Sequence, residues 1–177
     1  MKHFAEWLST TFLSVFIQNH NVWTIPAIQS IHIVGIAMVL GSVFMIDLRL
    51  LGWGGSDQTL RQTTNRFGPW LTGSLWLMLA TGILMVIGEP VRELITFSFW
   101  LKMFLVAVGA VIATVFLKTV HKHEQRWEEI LVHESAKRRA VRSLAVLTFL
   151  IWAGIIILGR LIAYDHIWGS WSPAVRS

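Results

Sequence analysis

His32, Lys102 and Arg160 are ionisable residues that lie inside long apolar stretches of this 177-residue chain. An ionisable side chain inside a bilayer is costly, so each of these positions is a candidate functional site. The imidazole of a histidine ligates transition metals and haem iron, whereas lysine and arginine pair with anionic groups. These three residues therefore define the chemistry that the chain offers.

His32 lies about seven residues inside its apolar stretch, which is roughly 10 Å of helix at about 1.5 Å per residue. Gln29 and Gly35 share its helix face by spacing. A neutral imidazole beside small residues suits a haem-binding helix, because a ring nitrogen reaches iron and glycine leaves room for the macrocycle. The alternative is a histidine hydrogen-bonded across helices, with Gly35 used only for close helix packing.

Two cations fall at a depth similar to that of the histidine, in two other stretches. Lys102 lies near the start of the third stretch, and Arg160 lies near the end of the fourth, with Tyr164 one turn further on. Together with Arg92 they are suited to pair with haem propionates. We expect Tyr164 and Gln29 to donate hydrogen bonds around the site. The alternative for both cations is snorkelling to water.

Further candidate ligands have weaker support. His121, at the other end of the third stretch, is a candidate ligand for a second haem, whereas His123 and His133 are expected to be exposed. Met85 is the methionine at the depth of His32, and thioethers ligate Cu(I) or haem iron. Methionine in an apolar helix is mostly a packing residue, however.

The elements that position these residues are four apolar helices. Hydrophobic residues make up 54% of the chain and charged residues 14%, against about 25% charged in an ordinary globular domain. A spanning helix needs about 20 apolar residues, and four stretches qualify: 25–46, 70–87, 99–117 and 144–163. We predict an all-α fold, a transmembrane antiparallel four-helix bundle that forms one integral membrane domain over residues 1–177. The apolar stripe of residues 4–17 predicts an N-terminal amphipathic helix that lies in the membrane interface.

Composition also excludes several classes of function. The chain has no cysteine, which excludes disulfides, thiolate metal sites and iron–sulfur clusters. Its net charge of +5 would suit nucleic acid, but no motif that reads DNA or RNA is present. We therefore expect no nucleic-acid partner.

Basic residues are distributed unevenly between the connections. Ten of the fifteen Lys and Arg residues lie in the first and third connections: Arg49, Arg61, Arg66, Lys118, Lys122, Arg126, Lys137, Arg138, Arg139 and Arg142. The positive-inside rule then places both connections in the cytoplasm and both termini on the extracytoplasmic side.

The third connection, residues 118–142, forms a charged cytoplasmic arm. Its composition predicts a solvated helical hairpin or extension, with Glu124–Glu128 and Lys137–Arg138 on exposed faces. Binding of anionic lipid is an alternative use of its basic residues. Asp47 and Arg49 close the first span, and we expect an ion pair there with a neighbouring helix or the basic connection.

Several short motifs resemble those of small bacterial CopD-like membrane proteins, a group related to HemJ-type haem proteins. They are Ile31-His32-Ile33-Val34-Gly35, Asp47-Leu48-Arg49-Leu50-Leu51-Gly52, Thr81-Gly82, Phe99-Trp100-Leu101-Lys102 and Gly159-Arg160-Leu161-Ile162-Ala163-Tyr164. The resemblance implies a four-helix protein that binds haem b and in which an intramembrane histidine and a lysine near a helix start matter. Those roles fall on His32 and Lys102.

These observations favour a membrane-embedded b-type cytochrome with one or two haems per chain. His32 is the expected axial ligand, and the expected role is electron transfer or membrane oxidoreductase chemistry, with a quinone or a redox protein as partner. Glycine- and alanine-rich helix faces suggest a homo-oligomer. The main alternative is a copper or small-cation transport component, as the CopD name implies. A third hypothesis is a scaffold subunit whose partner binds the arm.

Overall fold

The computed structural model describes residues 2–53 and 58–163, and these residues form eight helices and no strand. The helices are α1 (Lys2–Ser9), α2 (Phe12–Asn19), α3 (Asn21–Leu51), α4 (Leu60–Gly88), α5 (Pro90–Ile95), α6 (Phe97–Lys122), α7 (Glu124–Val132) and α8 (Ser135–Ala163). The prediction of an all-α fold is confirmed.

Four of these helices, α3, α4, α6 and α8, are long and apolar enough to cross a membrane. Each contains one predicted span and extends beyond it. Between 17% and 33% of each apolar window is buried against the rest of the chain. Most of each window therefore faces outward, an arrangement that is stable in lipid and unfavourable in water. The protein is a multi-pass membrane protein.

Hydroxyl side chains in the long helices bond to their own helix. The hydroxyls of Ser30, Ser74, Thr114 and Thr148 donate to backbone carbonyls one turn earlier. A polar group in the hydrocarbon region must be satisfied within the protein, and this bond does so without a neighbouring helix. These residues are therefore compatible with a lipid environment and do not mark a polar path.

The N-terminal segment differs from the prediction of one amphipathic helix over residues 4–17. It forms two helices, α1 and α2, separated at Thr10 and Thr11. The hydroxyls of Ser9, Thr10 and Thr11 donate to the carbonyls three residues earlier, and Thr11 has an extended backbone. Such local bonds compete with the helical pattern, and three in a row end α1.

The chain forms two compact units. Unit 1 comprises Met1–Ile36, Trp76–Leu105 and Ile155–Ser177, and unit 2 comprises Ala37–Leu75 and Val106–Gly154. In unit 1, α1 packs on α5, and Ile17 of α2 lies against Gly88 of α4, where an added Cβ would be 3.0 Å from its Cγ2. Glycine therefore permits α2 to approach α4 closely.

In unit 2, α8 packs against both α3 and α6. Phe44 of α3 contacts Phe149 of α8. Gly109 of α6 lies under the indole of Trp152 of α8, and an added Cβ would be 3.1 Å from its Cζ2. Helix α3 ends at Leu51, and the next residue, Gly52, has a φ of 78°, which glycine adopts at little cost. The amides of Gly52 and Trp53 there bond to the carbonyls of Arg49 and Leu48, a Schellman ending.

Candidate functional site

His32 of α3 is held by a hydrogen bond to α4 within unit 1. Its Nδ1 lies 2.7 Å from the hydroxyl oxygen of Thr81, and that hydroxyl lies 2.7 Å from the carbonyl oxygen of Leu77. A threonine hydroxyl has one proton to donate. We assign that proton to the carbonyl of Leu77, so that Thr81 accepts the Nδ1–H of His32.

This assignment leaves the Nε2 of His32 with a lone pair. Within the part of the chain that the structure describes, no group bonds to that nitrogen. The ring lies beside Gly82 of α4, where an added Cβ would be 3.8 Å from its Cε1. A histidine that ligates a metal usually donates its other ring N–H to a protein acceptor, which fixes the tautomer and the ring orientation. His32 has this arrangement.

Lys102 of α6 lies in the same unit and is half-buried. Its ammonium lies 5.8 Å from the centre of the Phe99 ring, and its side chain passes Gly159 of α8, where an added Cβ would be 3.8 Å from its Cδ. The ammonium interacts electrostatically with His32 and with Glu93. Lys102 therefore acts electrostatically on the histidine within unit 1.

Glu93 was not predicted from the sequence. It lies in the short helix α5, is 5% exposed and interacts with Lys102. Pro90 begins α5 at its first position, and the indole of Trp100 donates to the carbonyl of Leu94 at the junction with α6. The sequence feature that could have indicated Glu93 is a carboxylate three residues after Pro90, in the six-residue helix that this proline begins. We call His32, Thr81, Glu93 and Lys102 the polar cluster.

The remaining predicted residues of this site are placed differently. Arg160 is exposed on α8, next to the Gly159 that adjoins Lys102. Gln29 and Met85 line a small apolar pocket of about 10 Å³, which is too small for a porphyrin. Tyr164 lies outside the described residues, as does the side chain of Arg92.

His121, the predicted ligand for a second haem, belongs to unit 2 and is exposed. Its Nδ1 lies 2.7 Å from the carbonyl oxygen of Leu117, and its Nε2 lies 2.7 Å from the side-chain oxygen of Asn65. Both ring nitrogens are therefore engaged by hydrogen bonds. His32, in contrast, has one nitrogen available to a ligand.

The arm is docked on α3 and α4 of unit 2 through Glu124 and Glu128, in contrast to the prediction that these two glutamates lie on exposed faces. Glu128 accepts a hydrogen bond from the backbone amide of Leu60, at the start of α4, and pairs with Arg49 at 3.5 Å. Glu124 pairs with Arg61 at 2.6 Å. Both glutamates are half-buried. The ion pair expected for Arg49 is confirmed, with Glu128 as its partner.

Asp47 is buried in unit 2 and has no ion pair among the described residues. It is 6% exposed, and its Oδ2 has no hydrogen-bond partner within the described part of the chain. The indole Nε1 of Trp152 is also buried without a partner there. Across residues 2–53 and 58–163, no group of three or more His, Cys, Asp or Glu residues could hold a metal ion. A metal bound by several such side chains has no site in this part of the chain.

The fold and the polar cluster define an all-α, multi-pass membrane protein that carries a histidine oriented by hydrogen bonding. Residues 4–165 match the model of a family described as a family of unknown function (DUF6644), and the chain belongs to that family. Comparisons with curated proteins and with solved structures gave no match.

Proposed function

We propose that this protein is a membrane-embedded b-type haem protein in which the Nε2 of His32 is an axial ligand. The observation that carries the proposal is the hydrogen bond from His32 to Thr81, which directs the proton to Nδ1 and leaves Nε2 able to bind iron. Haem needs only one or two protein ligands. The lack of a group of three or more His, Cys, Asp or Glu side chains among the described residues is therefore compatible with haem.

Lys102 and Arg160 support the same proposal through their charge. A haem carries two propionates, and a desolvated carboxylate is stabilised by a lysine or arginine that donates to it. The contact between Lys102 and Gly159 brings α6 and α8 together beside Arg160. When bound, the haem would supply one-electron redox chemistry for transfer to a quinone or a redox protein. The residues of the chain would hold the ring, orient the imidazole and neutralise the propionates.

The proposal is tested by measuring the iron and copper content of three purified proteins: the wild type, His32→Ala and His133→Ala. His133 is an exposed residue outside the spans, so its replacement controls for the loss of an imidazole. We expect iron in the wild type and His133→Ala and little iron in His32→Ala. Copper in place of iron would overturn the haem proposal and favour the transport alternative.

A second variant separates loss of the ligand from loss of the fold. His32→Gly removes the imidazole and leaves space for a free imidazole molecule in the same position. If His32 ligates haem, added imidazole restores haem binding to this variant. Failure of rescue in a folded variant, as judged by circular dichroism, contradicts the assignment of His32 as ligand.

We also propose that the protein lies in the bacterial inner membrane with both termini in the periplasm. The support is the excess of lysine and arginine in the first and third connections. Because the chain has no cysteine, single cysteines can be introduced at Ser135 and Thr10, which belong to the arm and to the N-terminal segment. An impermeant maleimide applied to intact spheroplasts should label Thr10→Cys and leave Ser135→Cys unlabelled. The reverse pattern contradicts this orientation.

A homo-oligomer is the third part of the proposal. Gly41 and Gly73 are exposed positions in α3 and α4, and an added Cβ at either would meet no atom of the described residues within 4 Å. Small residues on open helix faces permit close approach of another membrane helix. Gly41→Leu should therefore reduce the oligomer mass in detergent, whereas Ala107→Leu, at another exposed position, should not. Equal masses for all three proteins contradict association through Gly41.

A further inference from the structure

An open polar pocket of about 360 Å³ lies within unit 2 where α6 ends and α7 begins. Helix α6 ends at Lys122, and His123 interrupts the helical backbone with φ −131° and ψ 47° before α7 starts at Glu124. Arg61 of α4 forms part of the opposite wall. The pocket is therefore made by the change of chain direction at His123 together with α4.

The walls of this pocket are fixed by bonds between α4 and the α6–α7 junction. Arg61 pairs with Glu124 at 2.6 Å, and His121 Nε2 lies 2.7 Å from the side-chain oxygen of Asn65. One turn further along α7, Glu128 accepts the backbone amide of Leu60. The pocket is thus held from both sides, which distinguishes it from an accidental gap between mobile side chains.

The charge of the pocket is positive after these pairs are counted. Arg61 and Glu124 neutralise each other. Lys122 and Arg126 also line the pocket, are exposed, and have no ion pair within the described part of the chain. Two uncompensated cations in a concave polar site favour an anion, and both residue types donate hydrogen bonds to phosphate oxygens.

The position of the pocket along α6 indicates where this anion comes from. The apolar stretch predicted to span the membrane ends at residue 117, and α6 continues to Lys122, so the pocket lies about one helical turn beyond the end of the predicted span. Phe116 of α6 packs edge to face against Trp127, the residue that follows Arg126 of the pocket wall, with ring centres 5.5 Å apart. Tryptophan is enriched at the headgroup level of membranes. The phosphates of membrane lipids lie at this same level.

We propose that this pocket binds the phosphate of an anionic phospholipid headgroup through Lys122 and Arg126. The proposal is independent of haem binding, because its residues belong to unit 2 and none is part of the polar cluster. It assigns the basic arm a specific lipid site in place of a general attraction to the membrane surface.

The test is native mass spectrometry of the full-length protein in detergent, titrated with phosphatidylglycerol or with zwitterionic phosphatidylcholine. The test variant is Lys122→Gln with Arg126→Gln. The matched control is Lys137→Gln with Arg139→Gln, which removes the same charge from exposed positions of α8 outside the pocket. Thermal unfolding of each protein shows that the fold is retained.

We expect the wild type to retain phosphatidylglycerol in preference to phosphatidylcholine. The pocket variant should bind phosphatidylglycerol roughly 25-fold more weakly, at about fivefold per basic residue, and the control variant should remain close to the wild type. An equal loss in both variants would indicate diffuse charge attraction and overturn the proposal. Unchanged binding in the pocket variant would overturn it as well.

A competition measurement with a soluble phosphate ester distinguishes a lipid ligand from a free phosphate. Glycerol 3-phosphate carries a phosphate but no acyl chain, so it should compete only weakly with phosphatidylglycerol. If it binds as tightly as the lipid, the site takes a soluble phosphate ester and the lipid assignment is wrong.

Discussion

Replacing Thr81 with valine removes one oxygen atom at nearly constant shape, and that oxygen is the acceptor for the Nδ1–H of His32. The change leaves the imidazole N–H without its partner in a site where water is scarce. It also frees the ring to turn and to exchange its tautomer, because the bond to Thr81 is what orients it. Thr81→Ser keeps the hydroxyl and serves as the conservative comparison.

The expected magnitude follows from the environment of the bond. An unsatisfied buried N–H costs about 1–3 kcal/mol in a soluble protein, but hydrogen bonds between membrane helices average about 0.6 kcal/mol, with a maximum near 1.7 kcal/mol. The membrane values apply, since both partners lie in candidate spans. At about 1.4 kcal/mol per factor of ten, they correspond to a loss of roughly 3- to 16-fold in haem affinity.

The assay is titration of the apoprotein with haem, followed by its absorption, for the wild type, Thr81→Val and Thr81→Ser. Thr114→Val is the matched control, because the Thr114 hydroxyl bonds only to the carbonyl of Ala110 in its own helix. We expect weaker binding in Thr81→Val alone. Because the bond to Thr81 makes the imidazole more basic, its loss should also raise the midpoint potential of the bound haem.

Comparing Thr81→Val with Thr81→Ser and with Thr114→Val tests whether the hydrogen bond to Thr81 positions His32 as a ligand. If Thr81→Val binds haem as tightly as Thr81→Ser, the hydrogen bond does not position a ligand. If Thr114→Val loses as much affinity as Thr81→Val, the effect is a general weakening of the helices. Either result would refute the reasoning from the geometry of His32.

Two further predictions concern the stability of unit 2, measured by thermal unfolding in detergent. Gly109→Ala should destabilise the protein by about 1–3 kcal/mol, because the new Cβ would lie 3.1 Å from the Trp152 ring. Gly154→Ala, with no described atom within 4 Å of the new Cβ, should be neutral or stabilising by up to about 1 kcal/mol. Equal effects would contradict the close packing of α6 on α8. Glu128→Ala should lower the free energy of unfolding by about 1–3 kcal/mol, because it leaves the first amide of α4 without its acceptor. Glu124→Ala should lower it by less than about 1 kcal/mol, because the ion pair of Glu124 is partly exposed. A larger loss for Glu124→Ala than for Glu128→Ala would contradict the assigned role of Glu128.

The four long helices could be predicted from the sequence because apolar runs of spanning length are a direct consequence of the solvent. The ends of the helices were harder to predict from the sequence. Helix α8 begins at Ser135, well before its apolar run, because basic residues are good helix formers when water solvates them. The division of the N-terminal segment depended on three local hydroxyl bonds, which hydropathy does not report.

In the candidate site, too, the residue types could be predicted from the sequence, whereas the contacts between helices could not. His32 and Lys102 stand out in the sequence because each is ionisable within an apolar stretch. The pairing of His32 with Thr81 depends on which faces of α3 and α4 meet, and spacing along one helix does not determine that. Glu93 and the docking of Glu128 were missed for the same reason, since both depend on contacts between elements distant in sequence.

The most direct test of the central claim is the absorption spectrum of the detergent-purified protein, oxidised and then reduced with dithionite, with haem quantified per chain by pyridine extraction. The proposal predicts a sharp reduced α-band and one haem per chain that disappears in His32→Ala, with His121→Ala unaffected because both nitrogens of His121 are engaged by hydrogen bonds. A colourless protein from cells with ample haem supply, or full haem occupancy in His32→Ala, would contradict it.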